Sequence, residues 1–278
     1  MSKPLLVVDG DSLAHRAYHA LPKTFRRAEQ RPGNALLGFS NFLVRLWDSE
    51  QPRAVLVGWD TLDQPTYRHE LFAGYQAGRV FDAELLEQLD LLPELVRAFG
   101  FVAAKAPGFE ADDFLAAAVQ QEESRGGNAL VVTSDRDSFQ LASERTTILQ
   151  PTRGVSELAR VGPAEVRERY GVDPSQVPDF IALRGDPSDR LPGAKGVGPK
   201  TAADVLRQYG SLEAALAEGR FSAQADELRV YKQMATLDAE APVPDVGDQT
   251  PAWAQASSYV RELGLNALAD RLAAHAST

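Results

Sequence analysis

Three carboxylates fall within four positions of one short segment, and they are the side chains best suited to carry chemistry. The segment reads Gly108-Phe109-Glu110-Ala111-Asp112-Asp113. A Pro-Gly break precedes the acids and an apolar run over residues 114–119 follows them, which predicts the first turn of a helix. The helix dipole stabilises acids at this position, so they indicate either an ordinary helix start or a set of oxygen ligands for a divalent ion.

Each of three predicted strands also ends at an aspartate. The strands are the continuous apolar runs at residues 5–8, 54–57 and 129–132, a pattern typical of buried parallel strands. They are followed by Asp9, Asp60 and Asp135, with Asp137 two positions later. Because ligands bind at the carboxyl edge of an open parallel sheet, we expect these carboxylates to converge there with the acidic helix. Carboxylates gathered so closely are costly unless cations neutralise them, and the pattern therefore favours a metal site.

The remaining patterns predict helices that change in character along the chain. In the first half they cover residues 12–18, 35–47 and 85–99, with Pro93 as a break or a fresh start. In the second half short helices separated by Gly/Pro turns cover Pro163–Tyr170, 177–183, Pro199–Tyr209 and 211–217, followed by a loop at 241–251 and one amphipathic helix at 252–274. We therefore predict an α/β core with a parallel sheet over residues 1–172 and a helical lobe over residues 173–278.

The composition narrows the class of protein. The chain has 278 residues, 44% of them hydrophobic, which suffices for one large domain or two joined ones. No stretch approaches the roughly 18 apolar residues that span a bilayer. The absence of cysteine excludes disulfides and thiolate metal sites. Because the amino terminus runs directly into a predicted strand and does not look like a signal peptide, we expect a cytoplasmic protein with no membrane partner.

The charge balance is acidic, with 39 Asp and Glu against 29 Lys and Arg and a net charge of -10. Taken alone, this balance argues against a nucleic-acid partner, because such proteins usually present a basic surface. Acids reserved for divalent ions would be neutralised in the working protein, and the basic residues would then be concentrated on one face.

A glycine-rich turn follows two further acids, Asp186 and Asp189. Residues 191–201 read Leu-Pro-Gly-Ala-Lys-Gly-Val-Gly-Pro-Lys-Thr. A Gly-x-Gly turn lets backbone N–H groups approach a phosphate, and Pro199 suits the first position of the helix behind it. With Lys195 and Lys200 on either side, the pattern predicts a hairpin that grips a nucleic-acid backbone. A plain helix-turn-helix corner is the alternative interpretation.

Basic and aromatic residues alternate over residues 66–79, which read Thr-Tyr-Arg-His-Glu-Leu-Phe-Ala-Gly-Tyr-Gln-Ala-Gly-Arg. This composition suits contact with a sugar-phosphate backbone combined with stacking on bases. A surface loop with one aromatic side chain turned inwards is the alternative interpretation.

Taken in order, these motifs resemble those of the bacterial 5′-3′ exonuclease and flap endonuclease family. The matching segments are Val8-Asp9-Gly10, Arg16-Ala17-Tyr18-His19, Tyr67-Arg68-His69-Glu70, Tyr75-Gln76-Ala77-Gly78-Arg79, Gly108 to Asp113, Thr133 to Asp137, Gly185 to Asp189 and Gly193 to Thr201. The resemblance extends from about Leu5 to Asp238. Since no polymerase follows Thr278, we expect a free-standing nuclease similar to the amino-terminal nuclease domain of bacterial DNA polymerase I.

The resemblance implies a PIN-like, Rossmann-like nuclease core and a helix-three-turn-helix lobe that binds duplex. It implies hydrolysis of phosphodiesters at 5′ flaps, nicks and free 5′ ends of DNA, with an RNA–DNA hybrid as a second candidate substrate and no obligate protein partner. It further implies two or more Mg²⁺ or Mn²⁺ ions, which in two-metal sites activate a water and clamp the scissile phosphate. The glycine hairpin of such proteins can also hold a monovalent cation, typically K⁺.

The same resemblance implies roles for individual residues. One metal would be held by Asp9, Asp60, Glu110, Asp112 and Asp135. A neighbouring, more open site would be formed by Asp113, Asp137, Asp186 and Asp189. The phosphate would be steered and the terminal base stacked by Arg16, Tyr75 and Arg79. Further contacts to DNA would come from Arg68, Gln76, Arg190, Lys195, Gly196, Val197, Gly198, Lys200 and Thr201.

Two positions depart from the family pattern. Gln76 stands where the family usually has a lysine, which removes a cation expected at the scissile phosphate and leaves Arg79 to compensate. Arg190 stands where the family usually has Asn, and it can add a backbone contact. Residues 80–92 occupy the position of an arch over the active site, but the segment is short and acidic.

Three other functions compete with this assignment. Gln76 and the acidic balance suggest a non-catalytic module that binds DNA structures. A site that had lost its catalytic activity would not be expected to retain so costly a set of acids. A dehalogenase-type phosphatase would use Asp9-Gly10-Asp11-Ser12, but it leaves the acidic helix and the glycine hairpin unexplained. A PIN-like ribonuclease would not normally carry the helical duplex-binding lobe.

Overall fold

The computed structural model describes residues 3–62, 64–72, 74–75, 81–153 and 157–276. One six-stranded sheet forms its centre, with the strand order β3-β2-β1-β4-β5-β6. The first five strands are parallel and β6 is antiparallel to β5. The strands are β1 (Leu5–Asp9), β2 (Ala54–Gly58), β3 (Val102–Ala104), β4 (Ala129–Val132), β5 (Thr146–Arg153) and β6 (Glu157–Val161).

Helices cover both faces of the sheet. In the first half they are α1 (Gly10–Ala20), α2 (Asn34–Glu50), α3 (Tyr67–Leu71), α4 (Ala83–Leu89), α5 (Leu92–Ala98) and α6 (Ala111–Ser124). In the second half they are α7 (Pro163–Tyr170), α8 (Val177–Arg184), α9 (Pro199–Tyr209), α10 (Leu212–Ala217), α11 (Ala225–Ala235), α12 (Trp253–Glu262) and α13 (Asn266–His275). No helix within the described ranges has both the length and the apolar character needed to cross a bilayer.

The core lies in two layers because successive residues of a strand point to opposite faces. Leu5 and Val7 of β1 pack with α6 and the helices α8, α9 and α11. Leu6 and Val8 pack on the other face with α1, α2, α5, α12 and α13. Each fully buried aliphatic side chain contributes about 2 kcal/mol to this arrangement. The central strands are therefore buried on both faces, and the acids at their ends are attached to this packed core.

The predicted helix over residues 252–274 is wrong, because two helices occupy this segment. The break lies at Gly264, which has a φ of +81° and lets the chain reverse between α12 and α13. The two helices pack against each other, and α12 also packs against α5, on the face of the sheet opposite α8 and α9. Pro93 does open a fresh helix, as predicted, since it lies in the first turn of α5.

Candidate metal centre

A cavity of about 1130 Å³ opens at the carboxyl edge of the parallel strands. Eight of the nine predicted metal ligands line it: Asp9, Asp60, Glu110, Asp112, Asp135, Asp137, Asp186 and Asp189. They come from the ends of β1, β2 and β4, from the first turn of α6 and from the turn after α8. The predicted convergence of acids from distant parts of the chain is therefore present in the structure.

Backbone and hydroxyl donors orient the acids at the ends of the central strands. Asp9 begins α1, where its Oδ1 accepts the Ser12 N–H at 2.9 Å and its Oδ2 accepts the Thr133 hydroxyl at 2.7 Å. Asp60 Oδ1 accepts the Ala111 N–H at 2.8 Å, so the end of β2 is tied to the amino end of α6. These bonds position the carboxylates at the edge of the cavity rather than leaving them free to turn away.

Glu110 stands at the start of α6 and receives three side-chain donors. The Thr66 hydroxyl donates to its Oε1 at 2.8 Å, and the Tyr75 hydroxyl donates to its Oε2 at 2.7 Å. Arg68 donates to the same Oε2 from Nη1 at 2.9 Å. The carboxylate is thus held in place by the segment that carries the alternating basic and aromatic residues.

The acids after β4 and α8 form the second group. The Asp137 N–H donates to Asp135 Oδ1 at 3.0 Å, and both residues line the cavity. Asp186 pairs through its backbone with Leu191 and accepts the Ser188 N–H at 2.8 Å. This tight turn brings Asp186 and Asp189 to the wall of the cavity.

Burial and mutual repulsion raise the pKa of most of these acids. Desolvation raises the pKa of Asp9 to about 7, with smaller contributions from the negative charges of Asp60 and Asp135. Desolvation also raises the pKa of Asp189 to about 7, and the negative charge of Asp135 adds to it. The pKa of Asp137 is raised well above its usual range by burial and by neighbouring aspartates. A site in which several carboxylates resist ionisation together is a site where negative charge exceeds the positive charge available to neutralise it.

These shifts predict the pH dependence of stability without divalent ions. The carboxyl pKa values of Asp9 and Asp189 rise from 3.8 to about 7, so the folded protein holds protons that the unfolded chain has released in this window. The free energy of unfolding should therefore fall as the pH rises, by at least about 2 kcal/mol between pH 5 and pH 8 in EDTA. Urea unfolding at the two pH values measures it. Greater stability at pH 8 than at pH 5 would contradict the assignment.

Asp113 does not line the cavity, in contrast to its predicted role as a metal ligand. Its side chain is 0% exposed and its two oxygens are engaged by the protein. The N–H groups of Glu110 and Asp238 donate to it at 3.0 and 2.9 Å, and Arg68 Nη2 donates at 2.8 Å. Adjacent helical residues point about 100° apart, so α6 presents Asp112 to the cavity and turns Asp113 into the protein. This placement corrects the prediction and favours a positioning role for Asp113.

Three of the predicted DNA-contacting residues also lie differently from the expectation. Arg68 is only 2% exposed and is surrounded by carboxylates, which does not suit a direct contact with DNA. Tyr75 lines the cavity, but it is 4% exposed and bonds to Glu110, so little of its ring is accessible for stacking. Arg16 donates to the Ser134 hydroxyl and the Pro151 carbonyl and thereby braces the loop after β4. Gln76 and Arg79 lie outside the described residues.

The glycine hairpin is exposed at the amino end of α9, as its sequence predicts. Lys195, Gly196, Gly198, Lys200 and Thr201 are exposed and Val197 is half-buried. Gly198 immediately precedes the first helical residue, Pro199, and Gly196 has a φ of +77°. Free N–H groups at a helix start attract anions, and two lysines beside them add positive charge. Arg190 lies on the cavity wall in the left-handed region, with a φ of 58°.

Several side chains of the cavity were not predicted. Asp11 accepts the Asp60 N–H at 2.7 Å and adds another acid to the wall. Arg136 and Arg184 supply positive charge beside the second group of acids. Asp11 lies in the first turn of α1, which starts at the carboxyl edge of the sheet. This position in the sequence would have predicted a side chain close to the other acids. In the described residues, no three Asp, Glu or His side chains are arranged closely enough to ligate one ion. The Arg68 guanidinium lies among Glu110, Asp112 and Asp113.

Comparison with known sequences identifies close relatives over part of their length. The chain is 46% identical over 215 residues to DNA polymerase I of Mycobacterium leprae, a match that covers 76% of this chain and 24% of the relative. It is 34% identical over 287 residues to DNA polymerase I of Bacillus caldotenax, which covers 98% of this chain and 32% of the relative. The chain therefore spans between about a quarter and a third of the length of these relatives.

Comparison with solved structures shows the same fold in bacteriophage proteins. The T5 5′-exonuclease with bound divalent zinc ions matches with a TM-score of 0.72 at 18% identity, over 97% of this chain and 98% of that chain. The T5 flap endonuclease in a complex with DNA and metal ions matches with a TM-score of 0.70 at 18% identity, over 99% of this chain and 100% of that chain. The predicted fold class is confirmed by these matches.

Two family models account for most of the chain. The amino-terminal, resolvase-like domain of the 5′-3′ exonucleases matches residues 4–171, and the carboxyl-terminal SAM fold of the same family matches residues 172–255. The resemblance inferred from the motifs is thereby confirmed, and the chain belongs to the 5′-3′ exonuclease family.

Proposed function

We propose that the protein is a structure-specific 5′ nuclease that hydrolyses phosphodiester bonds at 5′ flaps, nicks and free 5′ ends of DNA. The observation that carries this proposal is the convergence of eight acids on one cavity, together with an exposed glycine hairpin at the start of α9. Family membership supports it, as do the DNA and metal ions in the complex of the T5 flap endonuclease. We also propose an RNA–DNA hybrid as a second substrate and the cytoplasm as the location.

The donor set suits Mg²⁺ or Mn²⁺, because every candidate ligand is a hard carboxylate oxygen and the chain has no cysteine. We assign Asp9, Asp60, Glu110, Asp112 and Asp135 to one ion. We assign Asp137, Asp186 and Asp189 to a second. We assign a positioning role to Asp113, which accepts hydrogen bonds from Arg68 and from the Glu110 N–H. Divalent ions bound there would supply a water activated for attack and positive charge for the phosphate and the leaving oxygen.

The residues of the chain would bind and orient the substrate. Exposed N–H groups at the start of α9, flanked by Lys195 and Lys200, would hold the phosphates of the duplex, and K⁺ at Gly196-Val197-Gly198 would share this role. Arg136, Arg184 and Arg190 line the same cavity as the acids and would attract the scissile strand. The core over residues 1–172 would then carry the chemistry. Within the lobe proposed over residues 173–278, α8, α9 and the hairpin between them would grip the duplex, because α12 and α13 pack on the other face of the sheet.

A 5′-labelled flap duplex tests the proposal in one assay. In Mg²⁺ or Mn²⁺ we expect cleavage, and the length of the labelled product separates the two activities. One product cut near the junction indicates an endonuclease, whereas labelled mononucleotides indicate an exonuclease. Binding without cleavage in either metal would overturn the nuclease assignment in favour of a non-catalytic DNA-binding module.

A further inference from the structure

Arg68 is a cation buried inside the proposed metal centre. Its Nη1 donates to Glu110 at 2.9 Å, its Nη2 donates to Asp113 at 2.8 Å, and both nitrogens reach the Asp112 carboxylate at 3.2 and 3.3 Å. Only 2% of the residue is exposed. A guanidinium that bridges three acids in this way is a counter-ion of the site rather than a surface contact for DNA.

The surroundings of Arg68 hold the guanidinium in this place. The Arg68 Nε donates to the Met234 carbonyl at 3.2 Å, near the end of α11. The central carbon of the guanidinium, Cζ, lies 4.9 Å from the centre of the Tyr67 ring. All three of its nitrogens therefore have a partner. The contact with Met234 also ties the acidic end of α6 to the helical lobe.

The three acids differ in their access to the cavity. Glu110 and Asp112 line the cavity, whereas Asp113 is fully enclosed and does not. Three carboxylates and one guanidinium carry a net charge of about -2 when ionised, which one divalent ion would neutralise. An ion that enters from the cavity reaches the two acids that line it, Glu110 and Asp112, and cannot reach the enclosed Asp113.

We propose that Arg68 is a built-in counter-cation, which holds Glu110, Asp112 and Asp113 together without metal and yields Glu110 and Asp112 to an entering divalent ion. Asp113 retains the guanidinium when this happens. The inference rests on the proposed function, since it assumes that divalent ions bind in this cavity. It assigns Arg68 a positioning role that also limits the affinity for metal.

Competition between the two cations gives the inference a measurable consequence. An entering ion must displace Arg68 from two carboxylates and then remain beside its positive charge. Removal of the guanidinium should therefore tighten metal binding, although it destabilises the metal-free protein. A residue that merely supported the ligands would have the opposite effect on metal affinity.

The test is the variant Arg68→Gln in the full chain, with Mn²⁺ as the probe. We expect the melting temperature in EDTA to fall below that of the unchanged protein and the rise on adding Mn²⁺ to be at least twice as large. Isothermal titration should give a Kd for Mn²⁺ at least fivefold tighter. A Kd equal to or weaker than that of the unchanged protein would overturn the proposal.

Arg27→Gln is the matched control. Arg27 is also buried and paired with an acid, Glu87, but it lies outside the cavity. This variant should lose stability in EDTA without changing the affinity for Mn²⁺, and a comparable tightening there would overturn the proposal.

Two further outcomes have a defined meaning. If Arg68→Gln folds only with Mn²⁺ present, the metal replaces the guanidinium and the proposal stands. If it does not fold at all, Arg68→Lys decides, because lysine keeps the charge but cannot bridge three acids. Its Kd for Mn²⁺ should be at least twofold tighter than that of the unchanged protein, and an equal or weaker Kd overturns the proposal.

The unchanged protein separates this inference from the proposed function. Failure of the unchanged protein to bind Mn²⁺ would overturn both. Normal binding of Mn²⁺ with no effect of the Arg68 substitution would overturn only the inference.

Discussion

Replacing Asp135 with Asn is expected to abolish cleavage of a 5′-flap duplex while it leaves the protein folded. Asp135 lies between the two groups of acids, since its negative charge raises the pKa of Asp9 on one side and of Asp137 and Asp189 on the other. Loss of this carboxylate should weaken both proposed metal positions. We expect the cleavage rate in Mg²⁺ to fall at least about a thousandfold, which corresponds to about 4 kcal/mol of activation free energy.

The stability of the Asp135→Asn variant should rise, although its cleavage rate falls. Asn keeps an oxygen that can accept the Asp137 N–H but removes a charge from a crowded site, so the melting temperature in EDTA should rise. Flap binding, measured by fluorescence anisotropy in Ca²⁺, should stay within about threefold because the hairpin contacts are untouched. Asp90→Asn, at an exposed acid outside the cavity, serves as the control and should alter none of these quantities. Unchanged cleavage by the Asp135→Asn variant would contradict the assignment of Asp135 as a metal ligand.

Gly193→Ala is expected to lower the free energy of unfolding by about 3 kcal/mol or more. Gly193 has a φ of +73°, and a Cβ at this position would lie 2.6 Å from the carbonyl carbon of Arg184. The close approach of Gly193 to Gly185 closes the turn that carries Asp186 and Asp189. Relief of the overlap must shift this turn, so cleavage should also fall at least about tenfold.

Gly196→Ala separates the backbone effect from the steric effect. Gly196 has a similar φ of +77°, but a Cβ there would meet nothing within 4 Å. This variant should lose only about 1 kcal/mol, the cost of a left-handed conformation for an L-residue. Urea unfolding of both variants measures the difference. Equal losses in the two variants would show that the Gly185–Gly193 contact does not control the turn.

The convergence of the acids could be predicted from the sequence because the carboxyl ends of parallel strands lie at the same edge of a sheet. The runs that became β1, β2 and β4 are continuously apolar, and each ends at or near an acid, so their convergence follows from strand direction alone. β3 has only three residues, and β5 contains Pro151, a residue that strand patterns normally exclude. Pairing with the neighbouring strands of the sheet stabilises β3 and β5, and no local sequence pattern predicts them.

The roles of Arg68 and Asp113 could not be predicted for a related reason. A basic residue among aromatics is typical of a nucleic-acid contact, and only the packing of α3 against α11 turns Arg68 inwards. Likewise, both Asp112 and Asp113 suit a helix start, and the rotation of α6 on the sheet decides which of them faces the cavity. Long-range packing determines such orientations, whereas the spacing of residue types determines only that acids gather.

The central claim is that acids from distant parts of the chain hold divalent ions in one cavity. A crystal grown with Mn²⁺ and measured at a wavelength that gives manganese anomalous scattering tests this claim directly. We predict anomalous peaks in the cavity within coordination distance of carboxylate oxygens of Asp135 and its neighbours. A cavity without anomalous density, in a crystal that contains Mn²⁺ at saturating concentration, would contradict the claim.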